Sequence, residues 1–214
     1  IPVSSSQLKS ITGTYQTRLA FVNYETGNLA YIDFSNSTLT VTEIVDTFPV
    51  FHPEISPDGK RVAFCTKPEG VSGSSQVYVR DLNSSGSNLI RLDVENAAIP
   101  RFRVLPAGDT VIVYVSDAGN NKEENEWKQK STWQVPFNNG QFGTPEKLFD
   151  GSYHGGFSED GSLVVTGARL LRANVNGKES LWYNGEQACN ASLSKDSTKR
   201  TMFLDFGGQT GADF

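Results

Sequence analysis

The stretch Phe51-His52-Pro53-Glu54-Ile55-Ser56-Pro57-Asp58-Gly59-Lys60-Arg61-Val62-Ala63-Phe64 holds a complete reversal of the chain between two short strands. Pro57 presets φ at the first central turn position, Asp58 can hydrogen-bond its own backbone, and Gly59 tolerates a positive φ. The alternation that follows, Arg61 to Phe64, predicts a strand with one buried face. The pattern then returns. At a shift of 102 residues, Tyr153-His154-Gly155-Gly156-Phe157-Ser158-Glu159-Asp160-Gly161-Ser162-Leu163-Val164-Val165 overlays the first copy without a gap, His on His, Ser on Ser, Asp on Asp and Gly on Gly. Residues 99–114 give a third copy, with one inserted residue before Pro106-Ala107-Gly108. Residues 190–204 give a worn fourth, in which Ser197-Thr198 stands in place of the glycine. Starts near 52, 99, 154 and 190 set a period of roughly 35 to 55 residues, the range of radial or solenoid repeats.

Further short segments rich in β-branched and aromatic residues lie between the hairpins: 76–82 and 89–94 in the second unit, and 18–24, 29–34 and 39–45 in the first. Glu25-Thr26-Gly27-Asn28 and Ser35-Asn36-Ser37-Thr38 part the last three as hairpin turns. No stretch carries a helical 3.6 period of useful length, so the chain reads as all-β. Four antiparallel strands per repeat predict a β-propeller of about five blades, or part of a larger ring, an architecture that leaves only short, protected edges. The end units are uneven: no hairpin copy precedes Arg18, and the last unit runs out in residues 207–214. Either the termini complete one shared blade, or the chain is a segment of a larger protein; the missing outer strands after Phe206 favour the segment.

With 214 residues and 37% hydrophobic content the chain can bury a real core, and one domain, 1–214, is expected. The net charge of −5 supplies no basic field, so nucleic-acid binding is not expected. No apolar window reaches the length of a membrane span, and Ile1-Pro2-Val3-Ser4 is not the start of a signal peptide, so any such leader is expected to have been removed. Cys65, closing a strand, reads as a small buried apolar residue, and Cys189 precedes an inner strand; whether they pair is open at this level. No Cys-x-x-Cys accompanies them, and neither a metal nor a cofactor is expected.

The His-Pro-x-x-Ser-Pro-Asp-Gly-Lys-Arg-x-Ala-Phe pattern of residues 52–64 resembles the blade signature of TolB-type propellers, strongly at that copy, well at 154–165 and weakly at the other two. Residues 62–66, 130–137 and 186–192 more specifically resemble a paralogous family of large, often lipid-anchored proteins from a rumen fibre-degrading bacterium, whose function is not established. The closer resemblance implies a secreted or cell-envelope location and a fibre-degrading context. TolB-type propellers serve as protein-binding platforms, as gating domains of serine peptidases, and occasionally as pectin-fragment lyases. The resemblance thus implies a partner protein or a polysaccharide without choosing between binding and catalysis.

The only two histidines, His52 and His154, take the same place in the repeat, entering the first strand of a blade, where the other units carry Ile99 and Asn190. With Arg101 nearby, such a ring of entrance residues could bind a carboxylate or sugar hydroxyls, or hold a metal with water; the competing reading is that each His only ties down its neighbouring turn. Asp58, Asp160 and Asp196 share the turn position and read as turn caps. Arg61 and Arg200 also correspond, and are expected to pair with turn carboxylates. The acidic loop 117–127 reads as solvated, and its Trp127 as the best exposed ring for a sugar face, with Trp133 and Trp182 as blade packing. Glu54, Asp93, Asp109 and Glu159 are the carboxylates that could serve glycoside chemistry. Gly-x-Ser-x-Gly does not occur.

The reading these residues favour is a non-catalytic binding module with ligand-binding residues His52, His154, Asn190, Arg101 and Trp127, facing a partner protein or polysaccharide. A polysaccharide lyase or glycoside hydrolase with an axial site, and the gating propeller of a peptidase, are the alternatives.

Overall fold

The computed structural model describes residues 4–36 and 38–206; the tail at which the last unit runs out, and Ser37 of one expected turn, lie outside the described residues. Each Ser-x-Asp turn forms by the same local chemistry. In the first, Ser56 Oγ donates to Asp58 Oδ1 (2.6 Å), which also accepts from the Lys60 N–H, while the Arg61 N–H donates back to Ser56 Oγ at 2.9 Å. In the second, Asp160 Oδ1 accepts from Ser158 Oγ (2.7 Å) and the Ser162 N–H (3.0 Å). In the worn copy Asp196 accepts from the Thr198 N–H, and Arg200 N–H donates to Ser194 Oγ. The turn aspartates are therefore caps. Gly59 and Gly161 both sit at φ +71, and Lys199 takes the left-handed place in the copy that lost its glycine.

These turns join strands of five antiparallel sheets among the described residues. Sheet 1 is β1 (Arg18–Val22), β2 (Leu29–Asp33) and β3 (Val41–Ile44); sheet 2 is β4 (Phe51–Ile55), β5 (Arg61–Cys65), β6 (Val77–Asp81) and β7 (Ile90–Arg91). Sheet 3 runs β8 (Ala98–Val104), β9 (Thr110–Val115) and β10 (Ser131–Asn138), with β11 (Gln141–Phe142) and β12 (Glu146–Asp150) both on β10. Sheet 4 is β13 (Leu163–Thr166), β15 (Arg172–Val175) and β16 (Lys178–Leu181), while β14 (Ala168–Leu170) pairs instead with β17 (Gln187–Leu193), which carries β18 (Thr201–Asp205) on its other side in sheet 5. Two short helices escape the sequence pattern, α1 (Ser5–Thr12), capped by Ser4 and Gln7, and α2 (Glu124–Lys128). Both are too short to show a convincing period.

The sheets stack in chain order, each packing on the next. Val62 and Phe64 of β5 join Leu29 and Ile44 of sheet 1, while Ala63 and Cys65 of the same strand join Phe102, Ile112 and Tyr114 of sheet 3. In β9, Val113 turns the other way and meets Tyr153, Phe157 and Val164; in β13, Leu163 and Val165 meet Ala188, Ala191 and Leu193 of sheet 5. The strand after the first hairpin thus has two buried faces, against the expected one: a sheet between two others is apolar on alternate residues both ways, as in a buried parallel strand. Cys65 is a buried apolar filler and both thiols are free.

Candidate functional site

The leading strands of sheets 2, 3 and 5 share one irregularity. Register shifts occur between Phe51 and Glu54, Ala98 and Arg101, and Cys189 and Ser192, and in each the left-handed residue is the repeat's entrance position: His52 (φ +52), Ile99 (φ +47) and Asn190 (φ +52). These bulges turn the strand and re-aim its side chains. In sheet 4 the left-handed residue is Gly156 (φ +101), two places after His154. The gapless sequence overlay therefore puts the two histidines on one position that the backbone divides.

Their surroundings differ accordingly. His52 Nε2 accepts a hydrogen bond from the Glu69 N–H at 2.9 Å, and burial, with Arg101 adding to it, pushes its pKa down to about 4. His154 is 2% exposed and shares a 2.8 Å hydrogen bond with Thr166 Oγ1; burial holds it well below the usual histidine range. A hydroxyl beside an imidazole is the geometry of an activated nucleophile, but Thr166 is 0% exposed, so no substrate reaches it. Arg101 is brought beside them as expected: its Nε donates to the His154 carbonyl (3.1 Å) and its Nη1 to Glu54 Oε2 (3.2 Å). Asn190 is exposed, and its backbone N–H, not its amide side chain, donates to Glu69 Oε1 at 2.9 Å.

Glu69 was not singled out by the sequence, having no repeat equivalent. It sits on the β5–β6 loop, which crosses from sheet 2 to its neighbours: the Gly70 N–H donates to Ala118 O, the Gly73 N–H to Asp117 Oδ2, and Glu69 reaches sheet 5. Burial raises its carboxyl to about 7, against the opposing pull of the Asn190 N–H and Arg101. Glu54, too, is committed: its Oε1 accepts from the Phe102 N–H (2.9 Å) and from Lys195 Nζ of the last hairpin. Asp93 is fully exposed, 3.7 Å from the Arg91 guanidinium. Arg61 pairs loosely with Asp81 of its own sheet rather than with a turn; the bridge between turns is Lys199 Nζ to Asp160, at 2.7 Å.

Trp127 is a correction. Its ring is 0% exposed, packed edge-on to Tyr153 and under the Arg172 guanidinium, with Nε1 toward the Ser152 carbonyl. The polar flanks that suggested exposure belong to α2, whose one buried position is Trp127. Nor is loop 117–127 merely solvated: Asn121 is buried and both accepts from the Leu170 N–H and donates to its carbonyl at 2.8 Å, tying the loop to β14.

At the turn end of the leading strands lies a cleft of about 520 Å³ between sheets 2, 3 and 4 and the last hairpin. Arg101 and Phe102 form one side, Gly156, Phe157 and Glu159 another, and Arg103 and Lys195 line it as well. The histidines do not line it.

No protein-family model matches the chain, and no curated protein matches it. Among solved structures, TolB from Acinetobacter baumannii aligns over 93% of this chain at 16% identity with a TM-score of 0.55. A puromycin-hydrolyzing peptidase from Mycobacterium tuberculosis aligns over 83% of this chain and 30% of its own at 13% identity, with a TM-score of 0.46. The chain spans about half of TolB, 53% of its length. The likeness is one of fold: the chain is all-β, with antiparallel sheets in a TolB-like, β-propeller-type arrangement.

Proposed function

We propose that the chain is a non-catalytic propeller module of an exported, envelope-associated protein, and that it meets a partner at the turn-end cleft. The observation that carries this is the use made of the titratable groups on and beside the leading strands. His52, His154, Glu54, Glu69 and Arg101 each spend their hydrogen bonds on holding one sheet or loop to the next. Acid–base chemistry needs a group within reach of a substrate proton, and the His154–Thr166 pair is sealed. A binding face needs only the open cleft. The resemblance to TolB-type propellers supports the envelope location, and no helix among the described residues is long and apolar enough to cross a membrane.

In this reading the five sheets are blades of a ring that further chain completes. Sheet 1 carries Leu19, Ile32 and Val41 in register on the face turned from sheet 2, with Leu19 and Val41 about half exposed. Exposed Met202 and Leu204 alternate likewise on β18. A neighbouring blade would bury both faces.

The test assays the chain on polygalacturonate, aryl glycosides and peptidyl anilides beside His52→Ala and His154→Ala. The expected result is no turnover by any form, with His154→Ala losing about 1 to 3 kcal/mol of stability because the Thr166 hydroxyl is left buried without its partner. Turnover by the wild type that either variant abolishes at unchanged stability would move the assignment to a lyase or hydrolase.

A further inference from the structure

Arg103 stands apart from the other enclosed guanidiniums of this protein. Arg80 is held by both oxygens of Asp46 and by the Gly86 carbonyl; Arg172 by Glu179 and the Asn121 carbonyl; Arg101 by Glu54 and the His154 carbonyl. Arg103, on β8 at the cleft, lies over the Phe157 ring at 4.4 Å, and its Nε is buried with no acceptor. A buried donor without a partner is a cost that folding normally avoids. Stacking on Phe157 also fixes the plane of the guanidinium, so its fork is held ready rather than free to wander.

The charge around it has one sign in excess. Arg101, Arg103 and Lys195 line the cleft against one lining carboxylate, the exposed Glu159; Glu54 is shared between Arg101 and Lys195. The chain as a whole carries −5, so this concentration of cations runs against the composition. The remaining wall is mostly apolar, with Ile55, Phe102, Leu105, Val113 and Phe157, and the hydroxyl of Ser158 there is committed to Asp160 and the Leu163 N–H.

We propose that the cleft binds the carboxylate of an acidic side chain in an otherwise apolar peptide segment, with Arg103 as its anchor. This rests on the binding-module reading and names the ligand class. A guanidinium offers two parallel N–H donors that match a carboxylate, and the apolar wall suits aliphatic or aromatic flanking residues. A uronate would bring a hydroxyl to nearly every ring carbon, each needing a polar partner that this wall does not supply. Binding forms and breaks no covalent bond.

The test titrates the ¹⁵N-labelled chain with three probes: Ac-Leu-Asp-Phe-Leu-NH₂, its Asn twin, and trigalacturonate. The Asp peptide is expected to shift the amide signals of Arg103, Phe157 and Lys195, and to bind about tenfold or more tightly than the Asn twin. Arg103→Gln brings the twins to equal, weak affinity, and Arg103→Lys falls between, keeping charge but losing the fork. Because Arg103→Gln also loses its stacking, Lys195→Gln, altering an exposed side chain, is the second variant; it weakens the Asp peptide more than the Asn twin. Equal affinity of the twins for the wild type, shifts confined to other regions, or silence from all probes overturns the proposal. Arg103-dependent binding of trigalacturonate alone also overturns it, while leaving the module reading standing, which the turnover assay addresses separately.

Discussion

Glu69 shows at the scale of one residue how position overrides type. Its carboxyl, ordinarily near 4.5, is raised to about 7 by burial, which the hydrogen bond from the Asn190 N–H and the charge of Arg101 only partly offset. A folded-state pKa above the unfolded value contributes stability that is fully present below the unfolded pKa and is lost as pH rises through the folded one. Glu69 therefore favours the folded chain near pH 4.5 and ceases to by pH 8. His52, depressed to about 4 by burial, and His154, held by burial well below the usual histidine range, act in the opposite sense: their stability is present above pH 6.5 and lost as pH falls through the folded-state value. Glu69→Gln, which keeps an acceptor for Asn190, is expected to raise stability at pH 8 by on the order of 2 kcal/mol and to leave it little changed at pH 4.5. Urea denaturation at the two pH values checks this; equal effects at both would show that the carboxyl is not held protonated.

At the scale of the element, the Ser-x-Asp turn is a self-contained unit whose hydrogen bonds lie within six residues of each other. That is why it survives in three of the four copies while the strands around it vary. Asp58→Ala is expected to cost about 1 to 2 kcal/mol, since it removes an acceptor used by a serine hydroxyl and a backbone N–H, and Asp160→Ala removes the same two bonds and is expected to lower stability likewise. The additional Lys199 pair at Asp160 is solvent-exposed on both sides and adds little. Thermal melts of the two variants should therefore agree closely; a much larger loss for Asp160→Ala would assign the strength to the inter-turn ion pair.

At the scale of the molecule, stability sits between sheets rather than within them. Trp127 fills the interface of sheets 3 and 4 from a helix of only five residues. Trp127→Ala should cost about 3 to 5 kcal/mol, whereas Met202→Lys, on the outward face of the last sheet, should change stability by less than about 0.5 kcal/mol. Chemical denaturation of both variants compares them. A large loss from Met202→Lys would mean that this face is already covered by contacts within the chain.

The sequence by itself determined the repeat, the turn chemistry and the all-β class, because each rests on neighbours a few residues apart. It also singled out His52, His154, Arg101 and Asn190, three of which meet at the leading strands. Only the tertiary structure decided what those residues do. His52 and His154 match letter for letter, yet a bulge at one and a glycine after the other send them to different partners. Trp127 looks exposed from its acidic neighbours and is buried, since one apolar residue on a short helix is enough to dock it. Glu69, Arg103 and Lys195 carry no sequence signal, because their significance lies in groups as much as 141 residues away that only the stacking of sheets brings together.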